Sequence, residues 1–107
     1  NMVIEFVGSV VDAMTMDQRM TIANMAVEAG ATSGICLPDM TTVAYLWPFI
    51  QQEYESREAA LAAFAQFSSD KDAVYARRTT IDVSELEPLT TFGFKPDMRE
   101  GRTISIF

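Results

Sequence analysis

The chain has 107 residues, about half of them apolar, which suits one globular core and is short for two ordinary domains. Eight basic residues stand against fifteen acidic ones, net −7 with no basic block, so the phosphate-neutralising footprint of a nucleic-acid binder is absent. No apolar run approaches the roughly 20 residues needed to cross a bilayer, and the negative charge would repel anionic lipid.

Val3 to Val7 places apolar residues mainly at alternate positions and stops at Gly8, which predicts a strand. Thr15 and Gln18 then have the spacing of a capping box, and helix-favouring residues follow to Ala29 before Gly30, a residue suited to a left-handed C-terminal cap. Ser33 to Leu37 reads as a second strand closed by Pro38 and Asp39. Thr41 to Trp47 reads as helical, with Pro48 ending or kinking it, because proline supplies no donor and crowds the preceding turn. Ser56 can cap a further helix over 57–67, where Ala60, Leu61, Ala63, Phe64 and Phe67 form an apolar stripe. Residues 68–72 are polar and turn-prone, and Thr79 to Val83 alternates as a strand before Glu87 and Pro88. The stretch from Thr90 to Phe107 reads as an extended connector with a terminal strand over 103–107. This order predicts an α/β fold: a single three-layer open sheet with flanking helices, one domain over 1–107 whose residues 90–107 lead toward a next domain.

Several chemistries are closed to a chain of this composition. Cys36 is the single cysteine, so an intrachain disulfide is impossible and a cysteine-ligated cluster cannot be completed from within; its setting in an apolar strand favours a small buried hydrophobe over a ligand. There is no histidine, which removes the commonest general base and any imidazole metal site. The first residues show no basic start, apolar stretch and small-residue cleavage site of a secretory leader, and a cytoplasmic location is expected. Glu85 and Glu87 read as a solvent-facing acidic pair near a turn.

The informative helix is the one before Gly30. Asn24 and Glu28 lie four apart, which in an α-helix stacks them on one face. Periodicity alone favours an exposed polar pair, but Met20, Ile22, Ala23, Met25, Ala26, Val27 and Ala29 suggest a helix buried on most sides, where a carboxylate needs a partner.

The run MDQRMTIANMAVEAGA (16–31), followed by PDMTTVAYL (38–46), resembles the stretch of aconitase-family hydro-lyases, above all 3-isopropylmalate dehydratase large subunits, in which Met-x-x-Arg-Met-Thr precedes an Asn-Met-x-x-Glu-x-Gly helix. IEFVG (4–8) and DVSELEPLTTFGFKPDM (82–98) extend the resemblance over nearly all of the chain except about 47–76. It implies one domain of a larger hydro-lyase of the kind used in leucine biosynthesis, which dehydrates and rehydrates a hydroxy di- or tricarboxylic acid at a 4Fe-4S cluster whose ligands lie outside this chain. It implies as partners the remaining domains of the large subunit and a small swivelling subunit or domain that carries the serine base, with the segment inactive alone. The family's helix contributes an Asn and a Glu that hydrogen-bond water or hydroxyl on the open iron, and these match Asn24 and Glu28. Arg19 also matches the dehydratase pattern and has two readings: substrate binding, or an ion pair or cap contact at the first turns of the helix.

Two positions depart from the pattern. Ala23 stands where many relatives carry Cys, and TFGFKP (91–96) replaces a Trp-Gly-Thr form of the connector. Homoaconitase or another 2-hydroxy-acid dehydratase is therefore an alternative, and a free-standing acidic α/β binding module without catalysis is the alternative of another class.

Overall fold

The computed structural model describes the backbone of residues 2–91 and 99–101 and the side chains of 2–88. Its contacts divide the chain into two compact units, Asn1–Ala73 and Val74–Phe107.

In the first unit, β1 (Val3–Phe6) and β2 (Ser33–Cys36) pair in parallel, with Val3 opposite Ser33 and Phe6 opposite Cys36. Parallel strands need a crossover between them. Here it consists of α1 (Ser9–Ala13), α2 (Met16–Asn24) and a 3₁₀ turn over Met25–Ala29. The predicted Thr15 capping box is present: the Gln18 amide donates to Thr15 Oγ1 at 3.3 Å and the Thr15 amide donates to Gln18 Oε1 at 2.9 Å. Gly30 ends the segment at φ 83°, and the following Ala31 amide reaches back to the Ala26 carbonyl at 3.1 Å, the closure a left-handed cap provides.

Beyond β2, α3 (Met40–Ile50) and α4 (Arg57–Phe64) pack as a pair, and a 3₁₀ turn (Ala65–Phe67) completes the second helix. Val43 and Ala60 are fully buried, while Tyr54 meets Phe64 edge-on at 6.0 Å. Ser56 caps α4 by accepting from the Ala59 amide at 3.1 Å, as expected. Of the two outcomes expected at Pro48, ending the helix does not occur: α3 runs through it to Ile50. The bond lost there is the one to the carbonyl of Ala44, and Ala44 is an exposed residue at which water can take that place.

The second unit holds a two-stranded antiparallel pairing of β3 (Leu89–Thr91) with β4 (Arg99–Gly101). The strand predicted over Thr79–Val83 is not formed. Its alternation is real, but among the described residues no strand lies alongside to take its hydrogen bonds, and Ile81 is 75 % exposed. Local turns take over instead: Asp82 Oδ1 accepts from the Ser84 amide at 2.9 Å and hydroxyl at 2.7 Å, and the Leu86 amide donates to the Val83 carbonyl. The terminal strand expected over 103–107 lies outside the described residues.

The chain is thus a small mixed helix–strand structure with a two-stranded parallel sheet. Among the described residues no helix is long and apolar enough to cross a membrane.

Candidate functional site

The helical segment between Thr15 and Gly30 carries Arg19, Asn24 and Glu28, and its rotation decides which of them can act together. At 3.6 residues per turn, Arg19, Ala23 and Ala26 fall within about 60° of one another, while Asn24 lies about 140° from Arg19. Exposure follows that division: Arg19 is 3 % and Ala26 2 % exposed, whereas Asn24 and Glu28 face outward. The expectation of burial on most sides is corrected accordingly, since Met20, Met25 and Val27 are also exposed.

The inward face is fitted to β2 with no slack. A methyl group placed on Gly34 would stand 2.9 Å from the Ala23 Cα, the Ala23 carbonyl oxygen and the Ala26 Cβ. Only a residue without a side chain lets strand and helix approach so closely. The contact falls beside Asn24, at the point where α-helix gives way to the 3₁₀ turn.

Asn24 lines a shallow concavity with Met20, Ala23, Val27, Thr32, Ser33 and Gly34, at the edge where α2 meets the start of β2. Glu28 is not among its walls. The tightening to 3₁₀ explains this: with three residues per turn, Val27 rather than Glu28 comes to lie above Asn24. The two residues stay neighbours on one exposed stretch, but they do not stack as a continuous α-helix would have them do.

Arg19 is engaged on the opposite side through four hydrogen bonds. Its Nη1 and Nη2 donate to the two carboxylate oxygens of Asp39 at 2.8 and 2.7 Å, its Nε donates to the Met14 carbonyl at 3.2 Å, and Nη2 also donates to the Asp12 carbonyl at 3.0 Å. Those carbonyls belong to the last turn of α1 and its cap, where acceptors lack helical partners. Asp39 is in turn the N-cap of α3, accepting from the amides of Thr41 and Thr42 at 3.0 and 3.1 Å. One side-chain pair therefore joins α1, α2, the exit from β2 and the start of α3. Neither Asp39 nor Gly34 was singled out by sequence reasoning. The Pro-Asp ahead of a helix was a visible cap signal, but its partner 20 residues upstream was not.

The hydrogen bonds from Arg19 hold the Asp39 carboxyl below its ordinary range against the opposing effect of burial, assisted by the Thr42 and Thr41 amides. Asp39 in return raises the Arg19 guanidinium further, so that it stays protonated. A carboxyl whose folded pKa is depressed stabilises the fold above its unfolded pKa and loses that contribution as pH falls through the folded value. Hydrogen-exchange protection of the Thr41, Thr42 and Val43 amides should therefore fall on acidification below the ordinary carboxylate range, before protection in α4 does. Simultaneous loss in both helices would contradict this. Asp39 is 39 % exposed, so solvent moderates the effect.

Cys36 is half-buried, its Sγ 4.0 Å from the Arg19 carbonyl oxygen, and burial pushes its thiol up, with Arg19 opposing. Glu85 and Glu87 are exposed. Among the described residues no three His, Cys, Asp or Glu side chains converge where they could hold a metal ion. One half-buried cysteine and two outward-facing polar residues do not make up, among the described residues, a ligand set for a 4Fe-4S group.

Comparison with known proteins supplies the context for this surface. The profile of the Aconitase family (aconitate hydratase) matches residues 1–103. The chain is 67 % identical over 95 residues to the 3-isopropylmalate dehydratase large subunit of Geobacter sulfurreducens, covering 89 % of this chain and 22 % of that protein. It is 61 % identical to the protein of the same name from Desulfosudis oleivorans, covering 91 % and 22 %, and 41 % identical to that from Bacillus cereus, covering 90 % and 20 %. No solved structure matches. The chain belongs to the aconitase family. Within it, the similarity is to 3-isopropylmalate dehydratase large subunits, and the chain spans about a fifth of the length of the relatives it matches.

Proposed function

We propose that this chain forms one wall of the site at which a larger cytoplasmic hydro-lyase removes water from a hydroxy di- or tricarboxylic acid and adds it back, with 3-isopropylmalate as the first substrate to test. The observation that carries the reading is the outward presentation of Asn24 beside Thr32 and Ser33, with Glu28 exposed on the next turn, in a chain so similar to dehydratase large subunits.

Dehydration requires that a hydroxyl leave with a proton and that another proton be taken from the neighbouring carbon. Asn24 offers a neutral carboxamide, able both to donate and to accept a hydrogen bond and so to hold the departing oxygen in place. Glu28 offers a carboxylate that can exchange a proton with that oxygen. A 4Fe-4S group of the kind found in the family, held by other domains, would supply Lewis acidity there. The contribution of this chain is to fix where the two polar side chains stand.

The fold fits a part that works against neighbours. A two-stranded parallel sheet is seldom left uncovered, and further strands of the parent would extend β1 and β2 into a three-layer open sheet. Phe49, Phe67 and Val27 lie 78, 67 and 61 % exposed in the first unit, apolar surface suited to contact with the remaining domains and a small partner subunit. Residues 90–107 would lead toward the next domain, and the segment alone would be inactive.

The test is to prepare the full-length parent with its small subunit anaerobically and follow 3-isopropylmalate and its dehydration product spectroscopically. Interconversion is expected. Turnover of homocitrate in its place would move the reading to a homoaconitase, and turnover of neither would leave a binding module as the better account.

A further inference from the structure

We infer that Arg19 and Asp39 are positioning residues for the proposed hydro-lyase site, a clamp that fixes the rotation of α2 and thereby the direction in which Asn24 faces, and that Arg19 does not bind the substrate. The inference rests on the hydro-lyase reading and adds to it a role for two residues that touch no substrate.

Three observations carry it. Arg19 is 3 % exposed and four of its five N–H donors go to two carboxylate oxygens and two carbonyls, so burial leaves no open face of the guanidinium for an anionic ligand. It stands about 140° around the helix from Asn24, so a substrate held at Asn24 would have the helix itself between it and the guanidinium. The clamp also acts where leverage on Asn24 is direct: five residues away on one continuous α-helix, whose other end is seated against Gly34. A bidentate guanidinium–carboxylate pair defines an angle as well as a distance, which a single point contact does not. With α1, the exit from β2 and the cap of α3 all tied to the same pair, a change in its geometry must turn α2 or shift one of these elements.

The test uses the full-length parent with its small subunit and the variants Arg19→Lys, Asp39→Asn and the two combined. Arg19→Lys keeps the charge and loses the two-point geometry. It is expected to lower kcat by about 100-fold, the scale of an ångström-sized misplacement, while KM and the inhibition constant of an unreactive dicarboxylate analogue stay within about threefold. Adding Asp39→Asn should cost little more, because the pair acts as a unit. If Asp39→Asn leaves a buried guanidinium half-paired and the protein fails to fold, the kcat and KM of Arg19→Lys alone decide. A rise of tenfold or more in KM and in the analogue's inhibition constant, with kcat nearly unchanged, would assign Arg19 to the substrate and overturn the inference. Unchanged kinetics in Arg19→Lys would overturn it equally. A wild-type enzyme with no activity on hydroxy acids would bring down the hydro-lyase reading itself, an outcome separate from either.

Discussion

Glu28→Gln in the full-length enzyme should lower kcat by about two to four orders of magnitude, the usual contribution of a positioned proton-transfer group, with the fold unchanged. The substitution keeps the shape and hydrogen-bonding reach of the side chain and removes its ability to take up a proton. Its structural cost is small because Glu28 is exposed and, among the described residues, engages in no hydrogen bond or ion pair. A carboxylate that only decorated the surface could be replaced at a cost within a few tenths of a kcal/mol and without kinetic consequence. Asn24→Ala should be less damaging, since it removes a hydrogen bond to the reacting oxygen and leaves the proton-exchanging group in place. Both variants should act mainly on kcat, because interactions that strengthen as the carbon–oxygen bond breaks count in the transition state more than in the bound substrate. Steady-state kinetics on purified variants, with circular dichroism as the check on folding, would decide. Turnover of Glu28→Gln within about threefold of wild type would remove Glu28 from the site.

The elements visible in the sequence were those whose signals are local. The Thr15–Gln18 capping box, the Ser56 cap and the left-handed Gly30 each satisfy backbone groups within a few residues, and all three stand where expected. The elements that escaped depend on partners far along the chain. α1 spans only Ser9–Ala13 and ends on carbonyls that Arg19 caps from α2, a contact no local pattern announces. Thr79–Val83 shows the reverse: it has the alternation of a strand and lacks a strand to pair with among the described residues. At the candidate site the sequence identified Asn24 and Glu28 as residue types but assumed uninterrupted α-helix between them. The 3₁₀ turn sets in at Met25, with Gly30 capping its end and Gly34 packed against Ala23 and Ala26, and it changes which side chain lies over Asn24.

Gly34 carries a stability effect of steric origin in this part of the protein. Gly34→Ala should destabilise the fold by about 1–3 kcal/mol, the ordinary cost of overpacking, and Gly34→Val by more. Backbone conformation is not the reason, since Gly34 pairs within β2 and lacks the positive φ of Gly8 and Gly30. The reason is space: two of the three atoms a new methyl would meet at 2.9 Å are the Cα and carbonyl oxygen of Ala23, backbone atoms that cannot rotate aside. Either β2 leaves its register with β1 or the end of α2 lifts off the strand, and the second movement carries Asn24 with it. Gly34→Ala should for that reason reduce kcat as well as the melting temperature. Combining it with Ala26→Gly removes the third contact and should recover only a fraction of either loss. Thermal unfolding and kinetics of the three variants in the full-length parent test the argument. Wild-type stability in Gly34→Ala would mean that helix and strand can separate freely, and would leave the direction of Asn24 to be set by Arg19 and Asp39 alone.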